Sequence, residues 1–238
     1  MNCGMKNEKM KTEVRQEQIA AAALRLIARR GVRGLSIAGI ARQVGLVPSA
    51  IYRHFDGKDH VLDLVLDQIR QRLMDNVQAV QAETADPVEA LRRLLFRHIK
   101  LIRENEAIPL LIFSDQVYSG RPQRKARMQR IIQDYLDQVG NVVLRGQKEK
   151  RLRADLDPAV VAVMFLGLVQ PAAILWHLSE GAFDVTKHTE KAWQVFRRAI
   201  ARPNKETVSE VNVGSRPAKL STHHNLTEYE KRHPRKRN

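Results

Sequence analysis

From residue 13 to residue 202 apolar side chains recur every three to four positions, and no stretch of useful length alternates apolar with polar. A spacing near 3.6 lines residues along one face of a helix, whereas a half-buried strand needs a spacing of two. The chain is therefore expected to be all-α. Its 12 glycines, 9 prolines and 5% aromatic residues in 238 positions agree with long helices rather than a β-sandwich. The first helix is expected over residues 13–30. Ile19, Ala22, Ala23, Leu26 and Ile27 form its apolar stripe, and Gly31 stops it. Residues 1–12 are polar, without such a stripe, and are expected to be a flexible N-terminus.

Two short helices and a tight turn come next. Ser36 suits an N-cap, and Ile37, Ile40, Ala41 and Val44 repeat the stripe over two turns. Gly45 supplies the left-handed residue that a sharp turn needs. Pro48 suits the first position of another helix over residues 48–55, with Ile51 and Phe55 facing inward. A small residue, a glycine four places on and an apolar residue six further are a helix-turn-helix spacing. Any helical hairpin can show the same three residues. The flanking helices, which complete a three-helix core, and the basic charge favour DNA binding. After Asp56-Gly57 a long helix carries Leu62, Val65, Leu66, Ile69, Leu73 and Val77.

The stretch from Arg15 to Ile19 and the run from Ala41 to Lys58 resemble the DNA-binding domain of tetracycline-repressor (TetR) family regulators. Ile51-Tyr52-Arg53-His54-Phe55, followed three residues later by Lys58, is the most specific part, and the likeness is close over residues 13–66. Gly146-Gln147, Leu156-Asp157-Pro158 and Trp176-His177-Leu178 resemble the family more loosely. The resemblance implies a helix-turn-helix domain over 13–60, a helical ligand-binding and dimerisation domain over 61–202, and about nine helices in all. It implies a homodimeric transcription regulator, a repressor released from a palindromic double-stranded DNA operator by a small-molecule effector. Residues 48–55 would enter the major groove. Tyr52, His54, Lys58 and Ser36 would meet phosphates. Pro48, Ser49, Ala50 and Arg53 would meet base edges. Val47 belongs to the same set but stands where the family commonly has Ser or Thr, which leaves the recognition helix without its usual cap. Ala38 and Gly39 replace longer side chains, so the preceding helix is expected to read little sequence.

The larger region has its own helical signals. Asp86-Pro87 is an N-cap and N1 pair, opening a helix to about residue 105 with Leu91, Leu94, Leu95, His98, Ile99 and Ile102 inward. Residues 108–116 are short and apolar, and a long helix follows over 122–151. Its start holds Arg121, Arg124, Lys125, Arg127 and Arg130, which read first as a solvated face and second as a site for an anionic effector or flanking DNA. An effector pocket is expected inside residues 60–180. Its candidate linings are Phe96, His98, Ile102 and Phe113, together with Tyr118, Tyr135, Phe165 and Trp176. Each of these reads first as plain core and second as a ligand contact.

Residues 159–178 contain no Asp, Glu, Lys or Arg. Twenty such residues can just span a bilayer. Gln170, Pro171 and His177 interrupt the run, and no aromatic and basic belt brackets both ends. An interface between two soluble copies is the better expectation. In the resembled family the last two helices pair with their mates, which assigns Met164, Gly167, Leu168, Ala172 and Leu175, with Trp193 and Phe196, to that interface.

Lys and Arg total 41 against 26 Asp and Glu, for a net charge of +15 spread along the whole chain. Such a chain is drawn to polyanions. Residues 203–238 lose the apolar period and end in a Lys231–Arg237 basic run, which reads as a disordered basic tail. Cys3 is the single cysteine, so no internal disulfide can form, and a cytoplasmic protein with no membrane association is expected. The eight histidines are scattered, with His223-His224 in the tail. No metal or cofactor site is expected, and no phosphate loop, metalloprotease motif or nucleophile elbow suggests an enzyme.

Overall fold

The computed structural model describes residues 3–112, 114–118 and 121–202, with side chains from residue 13 onward. The basic tail, Phe113 and residues 1–2 lie outside the described residues. Ten α-helices and one 3-10 turn account for the architecture, and the described residues contain no named strand. The count exceeds expectation by one because residues 107–118 form two helices. Ser114 separates them: its Oγ accepts from the Gln116 N–H at 3.2 Å and opens the second.

Helix α1 runs Cys3–Arg30, ten residues earlier than the apolar stripe suggests. Residues 3–12, expected to be flexible, are helical. They hold no proline and only one glycine, so nothing stops the helix propagating backward from its packed half. Helices α2 (Ile37–Val44) and α3 (Pro48–Tyr52) follow a 3-10 turn at Val32–Gly34. Helix α3 ends at Tyr52, so Arg53 and His54 sit in its closing turn instead of on a helix reaching residue 55. There the N–H groups of His54 and Phe55 both donate to the Ile51 carbonyl, at 2.9 and 3.0 Å.

Helices α4 (Lys58–Glu83) and α5 (Pro87–Glu104) come next, then α6 (Ala107–Ile112), α7 (Asp115–Tyr118) and α8 (Pro122–Lys148). Helix α5 is capped by Asp86, whose Oδ1 accepts from Val88 N–H at 2.8 Å. Helix α8 stops at Lys148, three residues short of expectation. Lys150 turns left-handed with φ 58°, and the N–H groups of Arg151 and Leu152 fold back onto the Gly146 carbonyl. Helices α9 (Pro158–Leu178) and α10 (Val185–Ile200) complete the chain. A single antiparallel bridge between Leu152 and Ala201 ties the α8–α9 connection to the end of α10.

One apolar core runs through these helices. Helix α1 packs on α2, α4 and α6; α5 lies among α4, α8, α9 and α10; α9 is covered by α8, α10 and α5. Helix α4 belongs to both ends. Its first turns complete the three-helix head with Val61, Leu62 and Val65, and its later turns enter the helical body with Leu66, Ile69 and Leu73.

Candidate nucleic-acid interface and effector cavity

The head is built by its caps. Ser36 Oγ accepts from the Gly39 N–H at 3.2 Å. Gly45 closes α2 in the left-handed region at φ 69°, where its N–H meets the Ala41 carbonyl. Ile37, Ile40 and Ala41 go to the core, with Ile51 and Phe55 from beyond the turn. Gly39 is explained by packing: a Cβ there would stand 2.9 Å from Ser36 Oγ and 3.2 Å from Leu26 Cδ1. Any side chain at that position would crowd the cap beneath it.

What remains outside is a continuous polar and half-apolar surface. Ser36, Val47, Pro48, Ser49, Arg53, His54 and Lys58 are exposed or partly so, Ala50 is half-buried, and Tyr52 is 57% exposed. Tyr52 is therefore no core tyrosine and His54 does not serve as packing. Val47 occupies the N-cap of α3 without a side-chain hydrogen bond. Arg42, outside the expected set, is exposed beside this surface. It shares the outer face of α2 with Ala38, one helical turn before it, and is exposed like Arg53. Its only signal was a cation beside Gln43 at the polar end of a mostly apolar helix.

The basic opening of α8 does something else. Arg124 is 3% exposed and is the centre of a clamp onto α4. Its Nε donates to Asp63 Oδ1 at 2.8 Å, and its Nη2 donates to Asp59 Oδ1 at 3.0 Å and to the Asp59 carbonyl at 3.1 Å. Nη1 reaches the Gln116 carbonyl of α7 at 3.4 Å. Arg121 adds a 2.7 Å pair with Asp59, Arg127 pairs with Asp67, and Arg70 of α4 pairs with Asp134 at 2.6 Å. Asp59, Asp63 and Asp67 recur every four residues along one face of α4. So Arg124 departs from the expected solvated face; Arg121, Lys125 and Arg130 are exposed as that reading expects, and Arg121 and Arg127 also pair with carboxylates of the same chain.

A cavity of about 60 Å³ lies in the body, enclosed by α4, α5, α6, α8 and α9. Leu66, Ile69, Ile102, Met128, Ile131 and Leu166 are among its aliphatic walls. Three polar side chains interrupt them: His98, Tyr135 and Gln170. His98 and Tyr135 stack edge to face with centroids 4.9 Å apart. Burial holds the His98 imidazole down at about 4 and pushes the Tyr135 phenol upward, so both are neutral near pH 7. His98 Nδ1 and Tyr135 Oη have no hydrogen-bond partner among the described residues.

Of the expected pocket residues, the structure brings together His98, Ile102 and Tyr135. Phe96, Tyr118, Phe165 and Trp176 lie elsewhere. Phe96 carries the Arg92 guanidinium over its ring at 5.0 Å, Phe165 packs edgewise on Phe196 in the core, and Tyr118 donates to the Ile112 carbonyl. Trp176, half-buried, packs against the main core. Phe113 lies outside the described residues. These four were chosen for aromatic size, while the cavity is walled by aliphatic residues whose inward register only the helix packing fixes.

Helix α9 is long and apolar enough to cross a membrane by length and composition. Its faces differ, however. Val161, Ala162, Phe165, Val169, Ala172 and Ala173 are buried against neighbouring helices, while Val160, Val163, Met164, Gly167, Leu175 and Leu178 are exposed. Met164, Gly167 and Leu175 thus lie on an open apolar strip, and Leu168 packs partly against the core. Ala172, Trp193 and Phe196, also expected at a dimer interface, are buried within the protomer and support that strip from behind. For Ala172 the cause is that an all-apolar helix gives no periodic signal for which side turns outward; Trp193 and Phe196 lie on the apolar stripe of an amphipathic α10, which turns to the protomer's own core.

Comparison with known proteins agrees with this division into head and body. Residues 19–65 match the model of bacterial regulatory proteins of the tetR family, and residues 66–199 match that of the YsiA-like protein C-terminal region. The nucleoid occlusion factor SlmA of Vibrio vulnificus is 21% identical over 80% of this chain and 97% of its own length. The fatty acid degradation regulator FadR of Bacillus halodurans has a similar fold, with TM-score 0.69 at 20% identity over 76% of this chain and 94% of that one. FadR of Bacillus subtilis, solved in complex with stearoyl-CoA, gives TM-score 0.64 at 18% identity over 76% and 96%. With the two family models covering the head and the body in succession, the chain belongs to the tetR family of bacterial regulatory proteins and is a helix-turn-helix DNA-binding transcription regulator.

Proposed function

We propose that the protein is a cytoplasmic homodimeric repressor. Two copies of α3 occupy successive major grooves of a palindromic operator, and an apolar small molecule entering the α4–α9 cavity releases them. Tyr52, His54, Ser36 and Lys58 hold phosphates, which fix the docking register without reading sequence. Lys58 does so from the first turn of α4, whose N-terminal amides lack a side-chain cap. Pro48, Ser49, Ala50 and Arg53 read base edges, with Val47 at the groove's rim. The exposed α9 strip, led by Met164, Gly167 and Leu175, buries itself against a second copy. A contiguous apolar surface of that kind is otherwise a liability in solution.

The buried Arg124 clamp is the observation that carries the mechanism. Helix α8 walls the cavity with Met128, Ile131 and Tyr135, and one turn before Met128 its Arg124 grips Asp59 and Asp63. Asp59 follows Lys58 directly. The cavity is smaller than a drug-sized molecule, so an effector must push its walls apart. Displacement of α8 from α4 then acts on the ion pairs nearest the DNA-contacting end. The aliphatic walls suit a hydrocarbon or acyl body, in keeping with the stearoyl-CoA held by the Bacillus subtilis FadR.

Selection of bound duplexes from a random pool, followed by anisotropy titrations with and without apolar small molecules, tests this reading. Recovery of a palindrome and a loss of affinity on effector addition support it. A second reading, in which the protein marks DNA without an effector, draws on the similarity to SlmA. It is favoured if no molecule that binds the cavity changes operator affinity.

A further inference from the structure

We infer that the effector carries one neutral oxygen on its apolar body, a ketone, ester, thioester or hydroxyl, and that His98 and Tyr135 recognise it. This rests on the reading of the α4–α9 cavity as the effector site and adds the chemistry that selects among apolar molecules.

Two observations point to it independently of the cavity's shape. His98 Nδ1 and Tyr135 Oη are both buried, both residues line the cavity, and both atoms lack a partner among the described residues. A buried polar atom without a partner destabilises a fold, so native chains rarely keep one. Here two occur side by side in one aliphatic chamber, on rings 4.9 Å apart. Phenylalanine and leucine would fill the same space without that penalty. The pair is intelligible if an incoming group completes it: Tyr135 Oη–H donates to a carbonyl or hydroxyl oxygen, and the neutral imidazole donates or accepts beside it.

Charge decides the class. No Lys or Arg lines the cavity among the described residues. A carboxylate would enter an apolar chamber with no cation to pair with, which is strongly unfavourable. The same chamber keeps the imidazole neutral, so it supplies no counter-charge. A neutral oxygen meets no such barrier. Gln170, at the α9 wall, adds a third group that hydrogen-bonds without charge.

The test uses the full chain and three probes of one length: octan-2-one, octan-1-ol and octanoate, with affinities from NMR titration. Octan-2-one and octan-1-ol are expected to bind at least roughly tenfold more tightly than octanoate at about pH 7.5. Tyr135→Phe is expected to weaken octan-2-one roughly three- to tenfold, as loss of one buried hydrogen bond would. The same substitution should raise the melting temperature of the ligand-free protein, because it removes an unpaired hydroxyl. A purely structural tyrosine would lower it. His98→Leu should weaken both neutral probes. If octanoate binds as well as the ketone, or Tyr135→Phe leaves ketone affinity unchanged, the anchor is refuted while the effector cavity stands. If none of the probes binds, the cavity reading falls and the anchor with it.

Discussion

Arg124 Nε donates to Asp63 Oδ1 at 2.8 Å across the α8–α4 contact, with the arginine almost wholly removed from solvent. A buried guanidinium needs its donors satisfied, and this one takes Asp63, the Asp59 carboxylate and two backbone carbonyls. The contact links a helix that walls the cavity to the helix that starts at the candidate DNA-contacting surface.

Removing one partner should therefore differ from removing the charge. Asp63→Asn leaves Arg124 buried and underpaired, and is expected to destabilise by about 1–3 kcal/mol. Arg124→Met replaces the ion with an apolar chain of similar length and should change stability less. It should nonetheless weaken the effector's influence on operator affinity, whose coupling free energy is of order 1–3 kcal/mol in such systems. Urea unfolding with operator titrations in the presence and absence of effector separates the two effects.

The α2 cap makes a second, sharper case. Ser36→Ala removes the hydrogen bond to Gly39 and should lower stability by about 1 kcal/mol. Gly39→Ala would ordinarily stabilise a helix by up to about 1 kcal/mol, yet its Cβ would meet Ser36 Oγ at 2.9 Å. Alone it should destabilise; in the Ser36→Ala background, where only the 3.2 Å approach to Leu26 Cδ1 remains, it should cost clearly less. A double-mutant cycle by thermal melting shows that coupling or its absence.

Surface and core on α9 should respond differently to charge. Met164→Arg, on the exposed strip, is expected to give folded monomers that bind DNA poorly. Ala172→Arg places a cation in the fully buried face and should prevent folding instead. Sedimentation and circular dichroism distinguish these outcomes. A wild-type chain that sediments as a monomer at micromolar concentration would contradict the dimer.

His98 gives the cavity a pH signature. Its imidazole is held at about 4 against an ordinary 6.5. Between those values the unfolded chain binds a proton that the folded chain refuses, so stability falls as pH drops through that window and is complete above it. The loss at pH near 4 is of the order of 3 kcal/mol. Urea midpoints of wild type and His98→Leu, compared at about pH 7 and about pH 4.5, should differ in how steeply they fall toward acid, with wild type the steeper. Parallel curves would show that His98 titrates normally.

Much of the head was legible in the sequence, because caps and turns are written locally. Ser36, Gly45 and Pro48 in the head, and Asp86 in the body, each announce a helix end through their own backbone or side-chain chemistry. The cavity was legible only in part. His98, Ile102 and Tyr135 fall on inward stripes, but Leu66, Met128 and Leu166 become its walls through packing between helices far apart in sequence. The Arg124 clamp was misread for the same reason. Its partners stand 61 and 65 residues away, and neither helix alone shows that the two charged faces meet.

Division of labour in the head, with α3 reading sequence and the residues around it holding the backbone, is decided by one set of anisotropy titrations. Wild type, Lys58→Ala and Ser49→Gly are each titrated on the selected operator and on a scrambled duplex, at two salt concentrations. Lys58→Ala should weaken both duplexes alike and flatten the salt dependence by about one ion for each phosphate no longer neutralised. Ser49→Gly should weaken the operator alone, by about 1–3 kcal/mol for each base edge no longer read. If Ser49→Gly keeps full discrimination between the duplexes, α3 is not the reading element.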